Sequence, residues 1–72
     1  MLSLEEKKEM WNRVCKEFPY DAMMRDLHMI RELFSALDRR LPAKSHRQLS
    51  GLVRQEFSEL RKSLAITEST AR

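Results

Sequence analysis

The sequence predicts an all-α fold, either a three-helix bundle running up-down-up or an extended helical hairpin that self-associates. Three observations carry the prediction. One Gly and two Pro in 72 residues leave the chain few places to turn. The alternation of apolar and polar residues that marks a half-buried strand is absent. Apolar residues recur instead at helical spacing in three stretches, separated at Pro19 and at Pro42. The expected organisation is a single helical domain over residues 1–66, with helices near 4–18, 22–41 and 46–65, followed by a small polar tail at 67–72 that frays.

Each helix has a local justification. Ser3 followed by Glu6 has the form of a capping box, in which the hydroxyl accepts from an early helical N–H and the carboxylate reaches back. The first helix then places Leu4, Trp11, Val14, Cys15 and Phe18 on one face, while Glu5, Glu9, Asn12 and Arg13 point away. Pro19 stops it, because proline lacks the N–H that a continuing helix needs and pushes its predecessor out of the α region.

Asp21 is placed to cap the second helix. Its apolar residues Met23, Leu27, Ile30, Phe34, Leu37 and Leu41 step by four and three, a heptad seam expected to form the core contact. A second stripe, Ala22, Met29, Leu33 and Ala36, lies beside it and widens the apolar face beyond the roughly 100° that one contact uses. This helix should therefore touch two partners. Pro42 ends it, and Ser45 with Gln48 repeats the capping pattern ahead of a third helix lined by Leu49, Leu52, Val53, Phe57, Leu60 and Leu64. Glu56 falls inside that apolar sector. A buried unpaired carboxylate costs several kcal/mol, about enough to exclude it, so Glu56 should sit at the seam edge or pair with Lys7 or Lys8. Links of three to four residues make sequential helices antiparallel neighbours.

So short a chain buries only about 60% of its unfolded surface. One Cys removes an internal disulfide, and one Cys with two His are too few for a four-ligand zinc site. Tight packing or an oligomer is left to supplement the core. Cys15, between Trp11 and Phe18 on the helix face, reads as a small hydrophobe with no base marked for it. No apolar run approaches the ~18 residues of a membrane span or the length of a signal peptide's core, and the first nine residues carry three acids where a transit peptide avoids them, so a cytoplasmic location is expected.

Charge is the least uniform property of the chain. No acid occurs between Asp38 and Glu56, while Arg39, Arg40, Lys44, Arg47 and Arg54 put five positive charges there and His46 adds a titratable one. The overall +3 is therefore this block on a remainder of net −2. Arg39 and Arg40 suit the negative end of the second helix's dipole. Lys44, His46 and Arg47 crowd a helix start, where anions are favoured. These six residues are the anion or nucleic-acid candidates, although no aromatics interleave them for base stacking.

Other constellations are weak. His28 and Glu32 share a helical face but supply only two metal ligands, so no metal site is expected. The stretch Glu59–Arg72 resembles the first helix and turn of a helix-turn-helix, with Ala65 in the turn, but leaves only about six residues for a recognition helix. No nucleophile, base and oxyanion donor can be assembled, and one Gly excludes a phosphate loop, so neither catalysis nor a cofactor nor a small-molecule substrate is implied.

The reading that remains is a non-enzymatic protein-interaction or regulatory module, self-associating through the apolar faces of helices two and three. Its candidate contact residues are Met24, Met29, Leu33, Ala36, Leu52 and Glu56. Nucleic-acid binding through the basic junction is the alternative.

Overall fold

The computed structural model describes the backbone of residues 2–70 and the side chains of residues 2–65. It is a three-helix bundle: α1 spans Leu4–Glu17, α2 Ala22–Arg40 and α3 His46–Thr70. α1 packs on both other helices, so the chain is a closed bundle and not an extended hairpin. At 1.5 Å per residue the 25-residue α3 is about 37 Å long, which accounts for most of the 43 Å long axis.

The helix starts are built as their sequences direct. The Ser3 hydroxyl accepts from the Glu6 N–H at 3.1 Å, and the Asp21 carboxylate accepts from the Met24 N–H at 3.1 Å. At α3 the box is reciprocal: Ser45 Oγ accepts from Gln48 N–H at 3.3 Å, and Gln48 Oε1 accepts from Ser45 N–H at 2.9 Å. Phe18 and Leu41 close α1 and α2 by donating to Val14 and Leu37 carbonyls. α3 runs past the expected end at residue 65, since no Gly or Pro follows Gly51 to stop it. It is helical through Ala65, so the turn of a helix-turn-helix is absent; Ala71 and Arg72 of that string lie outside the described residues.

The core overturns one expectation in part: Leu37 of the heptad seam is buried and Phe34 and Leu41 pack against the core, but the N-terminal half of the seam does not join it. Met29, Leu33, Ala36 and Leu37 of α2 are buried with Val14, Leu49, Val53, Phe57 and Leu60, whereas Met23, Leu27 and Ile30 of the heptad seam are 74%, 50% and 41% exposed. A three-helix bundle has one interior direction, and an apolar face as wide as that of α2 cannot all point along it. With the second stripe inward, small Ala36 lies in the core, and Asp26 and Glu32 reach Arg61 of α3 and Arg13 of α1 at 2.8 and 3.3 Å. On α1, Leu4 is exposed, and Lys7 takes a place in the core with Val14, flanked by half-buried Trp11 and Phe18.

Lys7 is in the interior because of Glu56. Its ammonium is 2.6 Å from Glu56 Oε2 with both side chains 4% exposed, and Glu59 lies 3.3 Å away on the wetter side. Glu56 Oε1 also accepts from the Leu2 N–H at 3.5 Å, so one carboxylate of α3 holds the start of α1. Burial pushes the Lys7 ammonium's pKa down, but its hydrogen bonds to Glu56 and Glu59 outweigh this and hold it above the ordinary 10.5.

Gly51 shows where stability was left unused. It lies inside α3 with nothing within 4 Å of where a Cβ would stand. Gly51→Ala should therefore raise the unfolding free energy by about 1 kcal/mol, read from the urea midpoint at unchanged slope.

Candidate functional site

Rotating α2 by its second stripe leaves an open groove between α2 and α3, on the side that α1 does not cover. Its volume is about 710 Å³. Asp26, Ile30 and Phe34 form one wall, Val53 and Phe57 line it from α3, and the exposed Leu27 and Met23 follow at helical spacing on α2 toward its N-terminus. Because the two helices are antiparallel, that end of α2 lies beside the distal part of α3, as the Asp26 pair with Arg61 shows. At the other end the His46 ring lies 4.7 Å from the Phe34 ring.

The α3 wall is basic. Arg54, Arg61 and Lys62 line it, against Asp26 as the single acid among the described lining residues. Arg61 crosses the groove: its guanidinium stands 4.3 Å above the Phe57 ring and reaches Asp26 Oδ2 at 2.8 Å. Arg47 precedes Arg54 by seven residues and Arg54 precedes Arg61 by seven, so all three fall along the same flank of α3.

The candidate contact residues are distributed otherwise than expected. Met29, Leu33 and Ala36 close the chain's own core and are unavailable as an outer face, because the bundle uses that stripe to hold α1 and α3. Leu52 is half-buried against the same core, Met24 is half-buried, and Glu56 is an internal partner of Lys7. The apolar surplus of α2 is real, but it lies on Met23, Leu27 and Ile30. What reasoning from sequence missed was which of two stripes faces inward; the width of the face was the available signal.

The basic block does not form one site. Arg40 is tied to Glu6 of α1, and this guanidinium holds the Glu6 carboxyl below its ordinary 4.5 against the opposing effect of burial. Arg39 borders a smaller notch of about 320 Å³ between α1 and α2, with Arg13, His28 and Glu32. His28 stacks on Phe18 at 4.4 Å between centroids. Lys44 and Arg47 are exposed at the junction, and Arg54 stands on the groove wall. Contiguity in sequence is lost because the last turn of α2 and the first turns of α3 fan their side chains around two axes.

Among the described residues no group of three or more His, Cys, Asp or Glu could hold a metal ion, and no helix is long and apolar enough to cross a membrane. Cys15 is a free thiol, half-buried on α1. No protein-family model matches the chain, and no similar curated protein or solved structure was found.

Proposed function

We propose that the chain is a non-enzymatic protein-interaction module of the reducing cytoplasm, acting through the groove between α2 and α3. One observation carries this reading: Met23, Leu27 and Ile30 form an exposed apolar row leading into a groove floored by core residues. Contiguous apolar surface of this kind, rimmed by charge, marks sites of protein contact. The fold does not need the row for its own core, which is complete without it. A regulatory role fits a module that acts by binding.

A photo-crosslinking residue at Ile30, compared with one at exposed Arg13 on α1, tests the site in the native cell. Protein adducts should form at Ile30 in clear excess over Arg13. Equal adducts at the two positions, or none, would refute the assignment of the groove.

A second reading, binding of nucleic-acid phosphates, is favoured by Lys44, Arg47 and Arg54, which form no ion pair with any described residue. Three contacts to duplex DNA predict a slope of log K against log[salt] of about −3. A flat response in a filter-binding titration removes this reading.

A further inference from the structure

We infer that the groove takes an amphipathic helix from a different protein, about four turns long, with Asp or Glu flanking its apolar stripe. The inference rests on the groove being a protein-docking surface and adds the chemistry of the occupant.

Shape gives the helix. Among the described side chains the α3 wall runs from Ser50 to Ala65, roughly 22 Å at 1.5 Å per residue, a stretch along which a helix of about fifteen residues lies. Two antiparallel helices flank an apolar floor, the geometry in which a further helix lays down residues at i, i+3, i+4 and i+7. Ile30 and Phe34 stand one helical turn apart on the α2 wall, beside the buried Phe57 and Val53 of the floor.

Charge gives its flank. Arg54, Arg61 and Lys62 stand on one wall, and Asp26, the one acid among the described lining residues, is already committed to Arg61. Arg54 and Lys62 make no ion pair with any described residue. The Arg61 pair is itself weak, since its side chains are 59% and 41% exposed. An incoming carboxylate can therefore replace Asp26 on a guanidinium that Phe57 already holds in position.

The same charges argue against the other occupants. A second copy docked groove to groove would bring a second basic wall into the same interface, because a two-fold contact presents the same patch from both sides. The positive charges of Arg54 and Lys62 would then be doubled across it. Nucleic acid would satisfy the wall but leave the apolar floor without a complementary stripe.

The test selects a displayed library of randomised helices of about fifteen residues on the full chain, and in parallel measures the chain's mass by sedimentation equilibrium. The selected helices should carry an apolar stripe flanked by Asp and Glu. Their binding should weaken about tenfold in the Arg54→Glu, Lys62→Glu double variant, which exchanges two attractions for two repulsions, and should fail in Ile30→Asp. Both sets of changes fall on exposed or groove-lining positions, and circular dichroism confirms that the helices persist. Selected helices without acidic bias, or indifferent to the charge reversal, would overturn the inference and leave the docking surface standing. A dimer that Ile30→Asp dissolves, with no helix selected, would also overturn it and assign the groove to a second copy. No selected helix and a monomeric chain would remove both the occupant and the docking surface.

Discussion

Lys7→Met should destabilise the chain by about 3–5 kcal/mol, the cost of leaving one member of a buried ion pair without its partner. A domain of this size holds only about 4–11 kcal/mol in total, so the variant should lose a large part of its stability. The reason is an asymmetry in the cluster. Without Lys7, Glu56 keeps only the long contact from the Leu2 N–H and remains in the interior. Without the Glu56 charge, as in Glu56→Gln, Lys7 still has Glu59 at 3.3 Å, half open to water. Glu56→Gln should therefore cost less than Lys7→Met. The paired variant Lys7→Met, Glu56→Leu should recover stability to near the starting value or above it, because an apolar pair avoids desolvating two charges. Urea unfolding of the four proteins decides the matter; a Lys7→Met loss below about 1 kcal/mol would show that the pair is not buried in solution.

The same cluster sets a pH window. The Lys7 pKa is raised on folding, so its contribution is fully present below the ordinary 10.5 and is lost as pH rises through the higher folded value. At Glu6 the sign is opposite. Its pKa is lowered, so the Arg40 contact helps above the ordinary 4.5 and is lost as pH falls through the lower folded value. The alkaline fall in urea midpoint should be absent from the Lys7→Met, Glu56→Leu protein.

Leu33→Ala and Leu27→Ala should differ by several-fold in cost although both residues lie in apolar stripes of one helix. Leu33 is fully buried, and its truncation should cost about 2–5 kcal/mol from lost transfer energy and the cavity left behind. Leu27 is half exposed, and its truncation should cost under about 1 kcal/mol. Thermal or urea unfolding measures both. The reverse order would mean that α2 is turned about its axis and that the heptad seam forms the core.

That comparison also marks where the sequence stops being readable. Pro19, Pro42 and the caps at Ser3, Asp21 and Ser45 were legible because each acts over a turn of chain. That Glu56 needs a cation or the seam edge was legible too, while the choice of Lys7 over Lys8 came only with the packing of α1 on α3. The rotation of α2 was not legible. Its two stripes are centred roughly 100° apart, both have helical spacing, and the choice between them depends on contacts with α1 and α3 that no local window contains. The candidate site inherits that ambiguity: Met23, Leu27 and Ile30 look like core until the core is known to be elsewhere. The basic block was misleading for a related reason, because neighbours such as Arg39 and Arg40 are separated by about 100° once the helix forms.

Trp11 is the only tryptophan in the chain, and its ring lies 6.0 Å from that of Phe57. Phe57 is at once a core residue and a lining residue of the groove. The indole on α1 thus touches the inner side of the surface that a ligand would touch from outside. The protein carries its own optical gauge: a ligand seated on the groove should shift the emission of Trp11 through one intervening ring, so occupancy can be followed without a label.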